Sequence, residues 1–341
     1  MRYFKFLFTL LTLMIGVAVI LKAQQRPQYT QYVFNNYLLN PALSGTENYT
    51  DIKVGHRLQW SGLKDAPRTS FVSAHWSLGD KYLWQNPLSL PEKGDDPMSK
   101  NYMQNYTSSP AHHGMGVMAV SDRAGPLSRI DAGVSYAYHL QLSGTSNLAV
   151  GTYVGFSRIS LDVNALQLET EADPALTNVI ESQFKPDASI GVWLYGARFF
   201  AGASIQQIIP QTLAFTKNSN YTQGKSVPHF FVTSGYKLFL DEEVTLIPSF
   251  MAKGVSGLPI SVDLNAKVSF KDKIWIGGSY RKSDSFSAMV GFNFKQFANL
   301  TYAYDLTTSE IRTVSNGTHE IVLGIQLNSV YQVFSGGRTW R

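Results

Sequence analysis

An alternation of apolar and polar residues, sustained through fourteen successive segments, limits the fold of this 341-residue chain more than any other feature. Ala132, Val134, Tyr136, Tyr138, Leu140 and Leu142 alternate with Asp131, Gly133, Ser135, Ala137, His139 and Gln141. Ile260, Val262, Leu264, Ala266, Val268 and Phe270 alternate in the same way with Ser261, Asp263, Asn265, Lys267 and Ser269. Side chains on a strand point to opposite faces in turn, so each segment has one apolar face and one polar face. Segments of this kind fall near 51–60, 68–78, 112–122, 127–142, 147–162, 188–198, 199–208, 228–240, 244–255, 259–270, 273–282, 286–295, 298–307 and 317–327. Their length suits strands that cross a bilayer at a tilt, and their number is even. That pattern predicts an all-β fold, a 14-stranded antiparallel transmembrane β-barrel of the outer membrane. A soluble β-sandwich or propeller is the competing reading, but so many segments need an apolar partner larger than a sandwich core provides, and lipid supplies one.

The start of the chain agrees with export. Arg2 and Lys5 precede the nearly unbroken apolar run Phe6–Leu21, which is followed by Lys22, Ala23 and the polar Gln24 and Gln25. This reads as a signal peptide over 1–23, cleaved after Ala23, and it is short for a membrane span. Loss of its three cations would lower the net charge from +5 to +2, too weak a balance to argue for nucleic acid. The chain has no cysteine, which excludes disulfides, thiol nucleophiles, cysteine metal sites and an N-terminal lipoprotein anchor. The expected organisation is a signal peptide (1–23), an N-terminal plug or hatch segment (24–50), the barrel (51–327) and a periplasmic C-terminal tail (328–341).

Connection lengths provide a second test. With the N-terminus starting in the periplasm, tight turns at 143–146, 196–199, 241–243, 271–273 and 295–298 fall on one side. Longer connections at 164–187, 209–227 and 307–318 fall on the other, as in outer-membrane barrels. Two features fit poorly. Val154 and Phe156 share one parity while Ile159 and Leu161 take the other, so a bulge is expected near Ser157 and Arg158. The 79–111 connection is long and rich in turn signals, yet lies on the short-turn side; it reads as an insertion or a periplasmic docking segment.

The polar face carries Arg129, His139, Arg198, Lys237, Asp263, Lys267, Arg281, Asp305 and Glu320. A cation on the lipid face near the midplane costs about 2–4 kcal/mol, so these residues are expected to line the interior. A plug for such an interior needs hydrogen-bonding side chains and little charge. The uncharged stretch 28–46, QYTQYVFNNYLLNPALSGT, offers Gln31, Asn35, Asn36 and Asn40 as amides and Tyr29, Tyr32, Phe34 and Tyr37 as contact area. Asn40 and Pro41 force an extended turn before Ala42 and Gly45. The stretch reads as a plug at the periplasmic mouth, or as an ordinary extension capping the first strand.

Catalysis finds little support. Adjacent His112 and His113 face opposite ways on a strand and cannot jointly grip a metal, so an interfacial pair is expected. Glu169, Glu171 and Asp173 lack the spacing of a calcium loop. His319 and Glu320 with Ser315 form the sole triad that can be assembled, and neither a Gly-x-Ser-x-Gly nor a phosphate-loop motif occurs. No cofactor or metal is expected. Arg338, Trp340 and Arg341 close the tail as a candidate contact for a soluble partner.

The stretch 25–35 (QRPQYTQYVFN), followed by Asn40-Pro41-Ala42 and Gly45-Thr46, resembles the opening of the PorP/SprF family of type IX secretion system membrane proteins. The resemblance continues at 57–62 (RLQWSG) with 66–69 (APRT), at 122–126 (DRAGP), at 304–306 (YDL) and at 315–320 (SNGTHE). Asn-Pro-Ala alone also looks like the hatch of fatty-acid-channel barrels. The resemblance implies a non-enzymatic outer-membrane barrel that binds, exports or anchors a secreted substrate, such as a gliding adhesin, through the substrate's C-terminal domain. It further implies contacts with periplasmic type IX secretion components and a peptidoglycan-binding protein. The rival function is a channel for small or hydrophobic solutes, gated by the N-terminal hatch.

Overall fold

A computed structural model describes residues 30–47, 49–79, 108–166, 181–213, 215, 224–241, 243–256, 258–271, 273–282, 284–294 and 298–327. Among the described residues seventeen strands follow one another: β1 (Thr50–Leu58), β2 (Arg68–Leu78), β3 (His112–Ala124), β4 (Leu127–Ser143), β5 (Ser146–Leu161), β6 (Ser182–Gly196), β7 (Phe199–Gln206), β8 (Gln211–Leu213), β9 (Gly224–Ser226), β10 (His229–Tyr236), β11 (Leu238–Phe239), β12 (Val244–Val255), β13 (Ser261–Phe270), β14 (Ile274–Arg281), β15 (Ser285–Phe294), β16 (Ala298–Thr307) and β17 (Thr318–Leu327). Strands β8 and β9 form a separate small hairpin, and β11 continues the line of β10 along β12. The other fourteen make one antiparallel ring in chain order. It is closed by β1 against β17, from Thr50↔Leu327 to Leu58↔His319. Closure leaves no unpaired edge, which is what a sheet surrounded by hydrocarbon requires. Among the described residues no helix is long and apolar enough to cross a membrane, which says nothing of a barrel.

Burial is inverted relative to a soluble protein. Val134, Val154, Ile276 and Leu306 are 53–60% exposed, whereas His139, Asp263, Thr301 and Glu320 are 0–1% exposed. The alternate apolar residues pack against no second sheet, so the sandwich reading falls away and the outer face is a continuous apolar skin.

The two rims differ. At one, here the turn rim, β4–β5, β6–β7, β13–β14 and β15–β16 join through two or three residues. The other, the loop rim, carries the connections 59–67, 162–181, 207–228 and 308–317, together with two tight ones at 125–126 and 282–284. The stretch 1–23 expected to be a signal peptide, most of the 79–111 connection, the cluster Glu169, Glu171 and Asp173, and the expected C-terminal tail lie outside the described residues.

Two sequence expectations are corrected. The β4–β5 register runs without interruption through Asp131↔Ser157, Ile130↔Arg158 and Arg129↔Ile159; its irregularity sits at Gln141/Ser143, beside the turn. Ser157 and Ile159 both point inward, so Ile159 is an apolar residue on the inner face and no bulge re-aims it. Strand β6 begins at Ser182, not near 188, and includes Pro186. Pairing of β6 with β7 starts only at Ile190, so Pro186 has a neighbouring strand on one side alone, where its missing N–H is tolerated.

Candidate functional site on the inward face

Residues 30–47 lie against the inward face, folded as three short 3-10 turns, Thr30–Val33, Asn36–Leu38 and Pro41–Leu43. Turns this tight satisfy a few of the segment's own backbone groups. Wall side chains take several of the others, standing where water would in a loop. Ser204 Oγ donates to the Leu39 carbonyl (2.6 Å), and Gln206 Nε2 donates to those of Leu38 (2.9 Å) and Leu39 (3.0 Å). Apolar contacts add to these. Tyr32 and Leu39 pack with Phe231 and Met251, Leu38 with Phe71, Val120 and Val322, and Ala42 with Ala149 and Trp193. The Tyr37 hydroxyl is buried and bonded to Ser135 Oγ at 2.6 Å.

The first described residue meets a buried ion cluster near the loop rim. Arg57 Nη2 donates to Asp305 Oδ2 (2.8 Å) and Nη1 to Glu320 Oε2 (2.7 Å), with all three side chains at most 3% exposed. One guanidinium faces two carboxylates, and the segment itself fills further acceptors of both, while among the described residues Asp305 Oδ1 and Arg57 Nε are left without a partner. Thr30 N–H donates to Glu320 Oε2 (2.9 Å), Gln31 N–H to Oε1 (3.2 Å), and Thr30 Oγ1 to Asp305 Oδ2 (2.6 Å). Gln31 also donates from Nε2 to the Glu320 carbonyl (2.8 Å) and accepts from Thr301 Oγ1. Hydrogen bonds to the remaining lone pairs offset part of the cost of burying these charges.

Lower on the wall, Asn40 holds the segment by both ends of its amide. Oδ1 accepts from Ala42 N–H (3.0 Å), capping the last turn, while Nδ2 donates to the carbonyls of Val192 (2.9 Å) and Ala203 (3.3 Å) across the β6–β7 pair. Pro41 and Ala42 then press on Gly151 of β5, where an added Cβ would overlap their backbone. At the turn rim Gly45, at φ +77°, rests on Gly114 of β3, again with no space for a Cβ on either residue. Three buried histidines surround this point. His139 Nε2 pairs with the Ser44 carbonyl (2.7 Å), His112 Nε2 with the Gly45 carbonyl (3.0 Å), and Gly45 N–H donates to His75 Nδ1 (3.4 Å). The His112 and His139 rings stack with centroids 4.3 Å apart. Beside them, burial and the Asp51 carboxylate raise the pKa of Glu47.

A family model described as type IX secretion system membrane protein PorP/SprF matches residues 21–325, nearly the whole chain. The chain belongs to the PorP/SprF family. It is therefore an outer-membrane β-barrel component of type IX secretion, in a family that is not one of enzymes. No curated protein matches it significantly. Among solved structures it is similar to the Ralstonia pickettii toluene transporter TbuX (9% identity, 85% of this chain and 92% of that one, TM-score 0.47). It is also similar to a Pseudomonas aeruginosa FadL homologue (8%, 89% and 95%, 0.46) and to the Acinetobacter baumannii outer membrane protein Omp33 (5%, 82% and 99%, 0.44).

In this PorP/SprF chain the motif residues of the opening stretch are buried or packed contacts. Gln31, Tyr32, Asn35, Asn40 and Ala42 are 0–4% exposed. Asn35 Nδ2 donates to Ser73 Oγ (3.2 Å), Asn265 Nδ2 donates to the Tyr32 hydroxyl, and Phe34 lies between Lys53 and Trp275. Of the expected interior charges, Asp263 pairs with Arg281 (3.0 Å), Arg129 with Asp131 (2.8 Å), and Lys267 lies 4.5 Å above the Trp275 ring. Lys237 follows β10 on the inward parity and its charge acts on Glu47. Arg198 is a correction: it is an exposed residue of the β6–β7 turn, past the end of β6 at Gly196, where strand alternation no longer assigns a face, and its carbonyl accepts from Lys237 N–H (2.6 Å).

Another correction concerns the histidines. His113 faces outward, bonded to the Tyr136 hydroxyl at 2.6 Å, but His112 is an inward group of the Gly45 contact. His319 and Glu320 point to opposite faces, His319 toward Tyr302 and Glu320 toward Arg57, so the triad with Ser315 does not assemble. Among the described residues no group of three metal-ligating side chains converges. Sequence reasoning missed Arg57, Lys53, Asp51 and His75. The available signal was their shared odd parity in β1 and β2, the parity opposite to exposed Val54 and Val72.

Proposed function

We propose that this barrel binds a secreted protein through that protein's C-terminal domain and exports or anchors it at the cell surface, a gliding adhesin being the kind of substrate implied. In this reading 1–23 is a cleaved signal peptide, the loop rim faces outward, and the turn rim faces periplasmic secretion components and a peptidoglycan-binding protein. Residues 24–50 plug the lumen. The carrying observation is the family match over 21–325, which takes in both the wall and the segment on its inward face. The contacts of that segment also favour docking over free passage, since groups from all round the ring are occupied by it. Capture of the tagged barrel from membranes in mild detergent is expected to recover a type IX substrate or machine component; recovery of neither would count against the proposal.

A second reading, a channel for small or hydrophobic solutes, draws on a cavity between the segment and the wall. Tyr37, Leu39, Pro41, Met118, Tyr153 and Phe231 are among its lining residues, and its volume is about 30 Å³. A cavity of that size holds roughly one or two waters and is not itself a passage past the segment. Conductance in planar bilayers that rises when residues 24–46 are deleted would support this reading, and silence from both forms would leave the docking barrel ahead.

A further inference from the structure

Along β13–β16 the outward face stays apolar up to the loop rim, where it presents Val262, Tyr280, Phe286 and Leu306, the last three 40–57% exposed. On β2–β5 the same border is cationic and hydroxylic. Arg68 of β2 lies directly opposite Arg123 of β3, and one step toward the midplane Ser70 lies opposite Ser121. All four are exposed, on the outward parity of Val72 and Val117. Arg158 of β5 extends the patch two strands further, 5.6 Å from the Phe184 ring. Like charges paired across neighbouring strands repel, and this pair lacks the carboxylates that would relieve it. Asp122, beside Arg123, turns inward and accepts from Thr69 Oγ1 (2.6 Å), while Asp162 comes no closer than 4.0 Å to Arg123 Nη2. Among the described residues Arg68 and Arg158 have no carboxylate in ion-pair reach. Toward the midplane the wall turns apolar at once, in a row that runs Val72, Ala119, Ala132 and Phe156 from strand to strand.

We propose that this facet binds an outer-leaflet lipid whose head group carries a phosphate monoester, the phosphate bridging Arg68 and Arg123 and the acyl chains lying along the Val72–Phe156 row. The choice of leaflet rests on the reading above that the loop rim faces outward. Charge selects the head group. A phosphate monoester carries about −1.5 to −2 at neutral pH, which matches two guanidinium groups, whereas a phosphodiester carries a single charge. Each guanidinium presents paired N–H donors to phosphate oxygens, and an anion between the two removes their repulsion. Ser70 and Ser121 place hydroxyls just below, Ser70 Oγ being 2.9 Å from His56 Nδ1. Position selects a lipid over a soluble anion. Cations on the outer surface of a barrel are costly at the midplane and tolerated at the interface, where head groups lie. A free anion would use the arginines alone, but an amphiphile also covers the apolar row beneath them.

The test uses the full-length barrel in detergent, with each variant first checked for heat-modifiable migration as a folded barrel. Native mass spectrometry then follows three probes: diphosphoryl lipid A, the same lipid without its phosphates, and inorganic phosphate. The parent is expected to retain diphosphoryl lipid A, and Arg68→Gln with Arg123→Gln to weaken that binding about tenfold or more, as loss of charge-assisted hydrogen bonds requires. Lys282→Gln with Arg312→Gln removes the same charge from exposed positions elsewhere on the loop rim and should bind like the parent. Equal retention of the dephosphorylated lipid, displacement by inorganic phosphate at equal concentration, or an equal loss in the Lys282 and Arg312 variant would each overturn the site. Orientation is read separately. The chain has no cysteine, so Val314→Cys, at a 58% exposed position of the β16–β17 connection, reports the loop rim to a membrane-impermeant maleimide. Labelling on intact cells is expected. Labelling only after permeabilisation would overturn the outer-leaflet assignment even where lipid A is retained. Labelling outside without selective retention would overturn the lipid site and leave the orientation standing.

Discussion

Arg57 holds together the two rim strands that close the ring and the first turn of the segment inside it. Replacing it with Met keeps much of the volume but leaves Asp305 and Glu320 buried without their cation, and breaking a buried pair from one side costs about 3–5 kcal/mol. Urea unfolding of Arg57→Met in detergent should show a loss of that order, and adding Glu320→Gln should return part of it by removing the surplus negative charge. The glycine contact makes a separate prediction. A methyl on Gly114 would overlap the Ser44 carbonyl, so Gly114→Ala must push the segment off its seat, at a cost near the 1–3 kcal/mol of overpacking. Gly144→Ala, in the open turn, should unfold like the parent. Neither Arg57 nor Gly114 announces its role in the sequence. The parity of Arg57 puts it on the inward face but does not name its partners, and Gly114 resembles the other strand glycines until the partner segment is placed against it.

At the scale of elements, alternation located the fourteen wall strands because lipid and lumen select opposite residues at every step, which keeps the period intact even where single strands carry a weak signal. The same rule failed where one of those selections lapses. Ile159, Trp193 and Trp275 are apolar residues on the inward parity, and they are there because the segment or neighbouring wall side chains cover them. A reading that assumes a wholly wet interior must turn Ile159 into a bulge. Pro186 and Arg198 mark the other kind of failure, at strand ends, where pairing on one side only or a turn carbonyl replaces the constraint that sets the period. The outward face itself is testable. Val134, 53% exposed midway along β4, should lose about 2–4 kcal/mol of stability in lipid as Val134→Arg. Val314→Arg in the β16–β17 connection should cost nothing measurable, and unfolding from vesicles compares the two.

For the whole molecule, the wall and its filling are two structures held by different interactions. The ring is closed by strand pairing around its full circumference, and none of those backbone bonds passes through residues 30–47. The segment, in turn, reaches β1, β2, β4, β6, β7, β13 and β17 through side chains and short backbone contacts. Deleting 24–46 should therefore leave a heat-modifiable barrel with a lower unfolding midpoint, because Asp305, Glu320 and the three inward histidines lose partners while the ring keeps its own. A synthetic peptide of residues 30–47 should raise that midpoint again. In the intact chain three residues, 47–49, tether Thr46 to Thr50 across the turn rim, and short tethers correspond to effective concentrations on the order of millimolar, so rescue in trans should need peptide at about that level. The same peptide with Gly45→Ala should rescue poorly, since it lacks the conformation and the clearance that seat it on Gly114. A deletion that unfolds outright would mean that the ring depends on its filling, and a peptide without effect on a stable ring would mean that the contacts to 30–47 contribute little to holding the barrel together.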